Sequence, residues 1–133
     1  MKVLLDTNIC IYIIKRKPSI IINRLTEYSV GDVGLSTIII AELEYGVSKS
    51  RDVKKNQYAL DQFLAPFSIA EFDRKAAMTY GRIRAHLEQQ RCPIGSMDLL
   101  IAAHARSPGV RLITNNERAF ARVPGLRIET WIT

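Results

Sequence analysis

The sequence lacks several features that define common protein classes. It contains only two cysteines, Cys10 and Cys92, and no CxxC pair, so it has neither zinc-site spacing nor a disulfide framework. No stretch reaches the roughly 20 consecutive apolar residues of a membrane-spanning helix. Asp6 interrupts the apolar N-terminus, so we expect no signal peptide. Reduced cysteines and no leader together predict a cytoplasmic protein.

Motifs of several enzyme classes are also missing. There is no GxGxxG motif, no phosphate-binding P-loop and no GxSxG nucleophile elbow. His104 is six residues from Asp98, on the far side of the same predicted helix, so we interpret it as a structural residue and not as an acid–base catalyst. These absences argue against dinucleotide-binding, ATPase and serine-hydrolase functions.

The composition is that of one soluble globular domain, which we expect to cover residues 1–133. Hydrophobic residues make up 47% of the chain and charged residues 24%. Lys and Arg number 19 against 13 Asp and Glu, which gives a net charge of +6. A basic surplus in a small domain favours a polyanionic partner, nucleic acid first, although the same charge also serves solubility alone.

Strand and helix signals alternate along the whole chain. Ser36 or Thr37 is expected to cap a helix over 38–47, and Ser96 a helix over 97–105. This alternation predicts an α/β fold, a three-layer domain with a central, mostly parallel sheet of four to five strands flanked by helices. The predicted strands are 2–5, a short strand that follows the turn beginning at Val30, 67–69, 110–114 and 126–132.

Three carboxylates stand in apolar surroundings. Asp6 directly follows the first predicted strand, Glu42 shares the apolar face of the helix over 38–47, and Asp98 opens an apolar helix. Active sites of parallel α/β sheets lie at the carboxyl ends of the strands, where all three can meet. A buried carboxylate costs several kcal/mol unless something neutralises it.

Each of these acids also has a simpler explanation. Asp6 suits a helix cap, the helix dipole favours Asp98, and Glu42 is able to pair with an arginine. Taken together in a basic protein, however, the three favour a site for a hard cation, Mg²⁺ or Mn²⁺, because perturbed carboxylates cluster at functional sites.

Four segments in order along the chain carry a resemblance to a known family. They are Leu5-Asp6-Thr7-Asn8-Ile9, Ala41-Glu42-Leu43-x-Tyr45-Gly46, Pro93-Ile94-Gly95-x-x-Asp98-x-x-Ile101-Ala102-x-His104-Ala105 and Ile113-Thr114-Asn115-Asn116. The chain resembles PIN-domain proteins, and among them the VapC-type ribonuclease toxins of type II toxin–antitoxin systems.

That resemblance implies a fold, an activity and partners. It implies a PIN-like domain and Mg²⁺- or Mn²⁺-dependent cleavage of structured RNA, with Asp6, Glu42 and Asp98 as catalytic and metal-binding acids. It also implies products with 5′-phosphate and 3′-hydroxyl ends, a toxin homodimer and a cognate VapB-like antitoxin that assembles with it into a larger complex. Transfer RNA is the substrate that we expect.

The family's fourth acid falls in the turn after the fourth predicted strand. Here that turn contains Asn116 and Ala119, and Glu117 is its only acid. Glu117 is therefore a substitute metal ligand, or else the second ion is weakly held.

Further residues are candidates for contacts with RNA. Arg84 lies four residues after Tyr80, close to the apolar stripe of its helix, and arginine binds phosphate bidentately. The asparagines also suit a turn. The full set is Thr7, Asn8, Arg84, Asn115 and Asn116.

Two other functions stay open at this point. A non-catalytic RNA-binding module would share the basic charge and tolerate the missing fourth acid. A phosphotransfer domain would use Asp6 as an aspartyl-phosphate, but such domains usually carry a second acid beside the first, where this sequence has Asn8.

Overall fold

A computed structural model of the chain describes residues 1–29 and 31–132. Within them, strands and helices alternate as predicted, and Val30, where a turn is predicted, lies outside them. The strands are β1 (Val3–Leu5), β2 (Val33–Ser36), β3 (Ser68–Ala70), β4 (Arg111–Ile113) and β5 (Ile128–Glu129). The helices are α1 (Thr7–Lys15), α2 (Ser19–Leu25), α3 (Thr37–Ser48), α4 (Val53–Leu64), α5 (Arg74–Gln89), α6 (Ser96–Arg106) and α7 (Glu117–Phe120).

The strands form one parallel sheet in the order β3-β2-β1-β4-β5. Helices flank this sheet, which confirms the predicted α/β class. The register places Leu5 beside Ile113 and Ile113 beside Glu129, so the carboxyl ends of β1, β4 and β5 lie level at one edge. The segments that follow β1 and β4 therefore begin side by side.

The core lies on the sheet and under the long helices. β1 is a short apolar run and is buried throughout, as the central strand of a covered parallel sheet must be. The apolar stripe of α5 buries Ala76, Ile83 and Leu87, and α5 packs against α6. The apolar α6 is buried along most of its length, which holds its first turn at a defined height above the sheet.

Several boundaries shift by one residue from the prediction, and two differences have a clear structural cause. The cap of α6 is Gly95, not Ser96, because the Leu99 N–H already donates to the Gly95 carbonyl at 2.9 Å. The last strand is only Ile128–Glu129. Trp131 is buried by ring stacking on Tyr28, with 5.8 Å between the ring centroids, and not by strand pairing.

None of the helices in residues 1–29 and 31–132 is long and apolar enough to cross a membrane. Neither cysteine forms a disulfide: Cys10 is buried and Cys92 half-buried. Burial and the nearby Asp6 charge raise the pKa of the Cys10 thiol, so it stays protonated in the core.

Candidate functional site

Asp6 lies where β1 ends and is both a helix cap and a buried acid. It is only 5% exposed. One carboxylate oxygen accepts the Thr7 N–H at 2.8 Å, and the other accepts the Thr114 hydroxyl at 2.7 Å. Burial raises the pKa of Asp6, and these two hydrogen bonds partly counter it. Asp6 therefore both caps α1 and belongs to the candidate site.

Glu42 and Asp98 lie near Asp6 on two different helices. Glu42 is in the second turn of α3 and Asp98 in the first turn of α6, and both are half-buried. Burial raises the pKa of each carboxyl, and the charge of Asp6 raises both further. Asp98 also raises the pKa of Glu42. The fold therefore brings together three acids that repel one another.

No cation offsets this repulsion among the residues that the structure describes. The ion pairs found there involve other acids, so the arginine partner considered for Glu42 is absent from that part of the chain. Neutralisation must come from protons, from a partner molecule or from a bound cation.

The three carboxylates lie near one another, but not close enough together to hold one ion between them. Across residues 1–29 and 31–132, no three His, Cys, Asp or Glu side chains lie close enough to hold a metal ion as they stand. The donors nonetheless suit a hard cation, since all are carboxylate oxygens. The buried Thr7 hydroxyl also lacks a well-formed hydrogen bond, although it lies near enough to Glu42 to favour its charged form. An ion would draw these groups together.

Thr114 and Asn116 support the acids from the end of β4. The Thr114 hydroxyl, fully buried, donates to Asp6 and accepts the Asn116 N–H at 2.9 Å. The Asn116 amide donates to Asp98 at 3.4 Å. Asn116 was predicted as a substrate contact, whereas Thr114 was not assigned a role. The sequence feature that could have identified Thr114 is its position directly after a strand, which it shares with Asp6.

The remaining predicted residues have other neighbours. Asn8 is exposed on the first turn of α1, and Asn115 accepts the Thr130 hydroxyl at 3.4 Å. Arg84 is exposed on α5, where its guanidinium contacts the Tyr80 hydroxyl at 3.1 Å and Glu88 at 3.4 Å.

Glu117 does not join the three acids. It is exposed at the start of α7. Its charge is not among the causes that raise the pKa of Asp6, Glu42 or Asp98. As a substitute fourth acid it stands apart from the other three.

A largely apolar groove of about 420 Å³ opens beside the acids. It lies between α1, α3 and α4, and its polar lining residues include Thr7, Lys15, Glu42, Ser50 and Asn56. Its apolar walls include Ile11, Ile14, Leu43, Val47 and Leu60. The groove is therefore continuous with the candidate site.

Comparison with known proteins agrees with this arrangement. The PIN domain family matches residues 3–126. The chain is 43% identical to Ribonuclease VapC2 of Rickettsia felis over 96% of each chain, and 41% identical to the tRNA(fMet)-specific endonuclease VapC of Shigella flexneri over 98% of each. The structure of DNA-bound VapBC from Salmonella typhimurium contains a chain that matches with a TM-score of 0.93 and 40% identity, over 98% of each chain. The chain therefore belongs to the PIN-domain family and, within it, to the VapC ribonucleases.

Proposed function

We propose that this chain, as a single PIN domain over residues 1–133, is a Mg²⁺- or Mn²⁺-dependent endoribonuclease toxin that cleaves structured RNA. The observation that carries this proposal is the set of three mutually repelling carboxylates at the carboxyl edge of a parallel sheet, none of them in an ion pair within the described residues. Such a set binds a doubly charged ion and, through it, the phosphate of RNA.

The three acids would have different roles in binding metal. Asp6 and Asp98 would hold the principal ion, and Glu42 would hold a second ion or orient the attacking water. When bound, a divalent cation supplies charge that lowers the pKa of water and offsets the charge developing on the phosphate. The Thr114 hydroxyl donates to the Asp6 carboxylate at 2.7 Å. This hydrogen bond would fix the orientation of the carboxylate oxygens that hold the ion.

Other side chains would bind the RNA. Thr7 and Asn8 directly follow Asp6, Asn115 precedes Asn116, and the Asn116 amide donates to Asp98. The exposed Arg84 would bind a phosphate group of the RNA in place of the Glu88 carboxylate that it now contacts. The surplus of six positive charges favours the approach of the polyanion as a whole.

We propose transfer RNA as the substrate class. Initiator tRNA is the first substrate to test, because the Shigella flexneri relative is a tRNA(fMet)-specific endonuclease. Purified chain should be incubated with initiator and elongator methionine tRNA, with Mg²⁺, with Mn²⁺ and with a chelator. We expect cuts only with metal, leaving 5′-phosphate and 3′-hydroxyl ends.

A matched pair of variants completes this experiment. Asp98→Asn should abolish cutting, whereas Asp61→Asn, an exposed acid on α4, should cut like the original chain. Cutting that survives the chelator would contradict metal dependence. RNA binding without any cutting would support the non-catalytic module, and labelling of Asp6 by a phosphodonor would support phosphotransfer.

A VapB-like antitoxin would neutralise the enzyme through the apolar groove. The Salmonella typhimurium relative was solved as a VapBC complex with DNA. An antitoxin tail in the groove would place a Lys or Arg beside Glu42 and Thr7, and thereby supply the missing positive charge. We expect Ala59→Arg, at a half-buried position in the groove wall, to weaken antitoxin binding while Lys54→Glu, exposed on the same helix, does not.

A homodimer through the N-terminal helices completes the proposed assembly. Ile20 is 46% exposed on α2, although its neighbour Ile21 is buried in the core. Tyr12, Ile13 and Ile14 are partly buried against the core and leave some apolar surface open. Light scattering of the original chain and of Ile20→Glu would test this interface.

A further inference from the structure

His104 is a buried polar residue that the proposed chemistry does not use. It lies in the last turns of α6, 4% exposed. Its Nδ1 lies 2.6 Å from the Ser36 hydroxyl, and the Phe72 ring packs against it edge-on, 5.4 Å between centroids. The Glu71 backbone carbonyl also hydrogen-bonds to the ring. The ring is thus held on several sides.

The hydrogen bonds at Ser36 are satisfied together. A neutral imidazole has one donor and one acceptor nitrogen, and a hydroxyl both donates and accepts, so Nδ1 and the Ser36 hydroxyl form their bond with either ring tautomer. The Ser36 oxygen also accepts the Ile38 N–H at 3.0 Å. Burial lowers the pKa of His104, which keeps the ring neutral and this pattern intact, although Asp73 and the Glu71 bond counter part of that effect.

Ser36 stands at a junction of the fold. It is the last residue of β2, it pairs with Ala70 of β3, and its hydroxyl caps α3. It is only 1% exposed. The bond from His104 therefore ties α6 to the sheet and to the start of α3 at a single fixed point.

The spacing along the two helices relates this bond to the acids. Glu42 comes six residues after Ser36 on α3, and Asp98 comes six residues before His104 on α6. Six helical residues span about 9 Å on either helix. About one and two-thirds helical turns separate Asp98 from His104, so the two side chains lie on different faces of α6. Since α3 packs against α6, the Ser36–His104 bond links the helix that carries Glu42 to the helix that carries Asp98.

We propose that His104 is a positioning residue of the candidate site, which holds Asp98 on α6 at the correct distance from Glu42 on α3 through its hydrogen bond with Ser36. A slip of one residue along a helix is about 1.5 Å. A displacement near 1 Å costs about a hundredfold in a rate that depends on positioned groups. This role rests on the proposed nuclease function for its consequence, but not for its geometry.

The experiment measures geometry and metal binding separately. Paramagnetic labels on Ala41→Cys and Met97→Cys, both exposed and each next to an acid, report the distance between α3 and α6 in a Cys92→Ser background. Mn²⁺ affinity is measured on the same chains without labels. We expect His104→Leu, which fills the space without a hydrogen bond, to shift or broaden the distances and weaken Mn²⁺ binding about tenfold.

Matched variants separate positioning from packing. His104→Gln keeps an acceptor and a donor and should restore both readouts. His86→Leu, at the exposed histidine of α5, should change neither. If His104→Leu fails to fold, Ser36→Ala takes its place, with Asp52→Ala as control for the loss of a helix cap alone.

The outcomes decide between the two ideas. A lower melting temperature with unchanged label distances and unchanged Mn²⁺ affinity would overturn the positioning role and leave His104 as core filling. Shifted distances in a protein whose original chain binds no Mn²⁺ and cuts no RNA would support the positioning role and refute the proposed function.

Discussion

Asp6 and Glu129 are two carboxylates at the same edge of the sheet with opposite surroundings. Leu5, Ile113 and Glu129 form one row across β1, β4 and β5, and Asp6 follows that row by a single residue. The strands place the two acids one residue apart along the same edge. The side chains that surround each acid are nevertheless quite different.

Glu129 is compensated within the chain. Its carboxylate lies 3.3 Å from the Arg24 guanidinium and 3.7 Å from that of Arg111. It also accepts hydrogen bonds from the Tyr28 hydroxyl at 3.3 Å and the Trp131 indole N–H at 3.2 Å. Two cations and two neutral donors make this a closed structural cluster.

The acids around Asp6 differ from Glu129 in what faces them. Hydroxyl and amide donors reach Asp6 and Asp98, but the charge that shifts the pKa of Asp98 is the negative charge of Asp6. Two arginines pair with Glu129, whereas no arginine in the described residues pairs with Asp6, Glu42 or Asp98. That contrast identifies a structural carboxylate in one place and a candidate binding site in the other.

Removing the acid at each place should therefore have opposite consequences, and the largest effect is on activity. We expect Asp6→Asn to reduce RNA cleavage by about 10³-fold or more, because metal-assisted charge stabilisation is worth several kcal/mol. The rate of metal-dependent cutting of the RNA substrate measures this. Unchanged thermal unfolding shows that the fold survived, and a loss of less than about threefold would remove Asp6 from the chemistry.

Glu129→Gln should act on stability. It leaves Arg24, Arg111 and the buried Trp131 N–H facing a neutral amide, which costs about 1–3 kcal/mol for a donor left unsatisfied. Denaturant unfolding measures the loss, and RNA cleavage at low temperature should persist. Glu27→Gln, whose exposed pair with Arg24 is 3.5 Å long, is the matched control and should cost about 0.5 kcal/mol at most. Equal losses in both variants would mean that the Glu129 cluster is no stronger than a surface pair.

Asp98→Asn should change the stability of the metal-free chain less than Glu129→Gln, and in the favourable direction. The helix dipole favours a charge in the first turn of α6, but burial and Asp6 outweigh it, since the pKa of Asp98 is raised. An acid whose pKa is higher in the folded state binds more protons there, so stability falls as pH rises through that pKa. The Asn variant should be more stable than the original chain at neutral pH and lose this advantage below the ordinary pKa of 3.8.

Unfolding curves between pH 3 and pH 8 test this sign. Asp61→Asn, at an exposed acid, should follow the original chain throughout. A variant of Asp98 that is several kcal/mol less stable at neutral pH would give this residue a structural role instead.

Local patterns sufficed to predict the order of the elements and the three acids. Apolar runs followed by a polar residue mark strand ends, so Asp6 could be found from the sequence, and the spacing of Glu42 in an apolar helix face was equally visible. Resemblance to PIN-domain proteins added the fold family, which the comparisons confirmed.

Contacts between distant segments could not be predicted in the same way. Thr114 and Asp6 are 108 residues apart, and His104 and Ser36 are 68 apart. No periodicity links such pairs, because the register of the sheet and the packing of α6 bring them together. The end of β5 was misjudged for a similar reason, since Trp131 is buried by stacking on Tyr28 from another part of the chain.

The smallest effect is expected at Glu117, the only acid in the turn where the family resemblance predicted a fourth one. Because it is exposed and does not raise the pKa of the other acids, Glu117→Gln should change Mn²⁺ affinity and RNA cleavage by about twofold at most, as surface substitutions generally do. Glu42→Gln is the matched control and should weaken Mn²⁺ binding about tenfold or more, because its half-buried carboxylate lies among the acids. Equal losses in the two variants would contradict this prediction and make Glu117 a fourth acid of the candidate site, in contrast to the compensated Glu129.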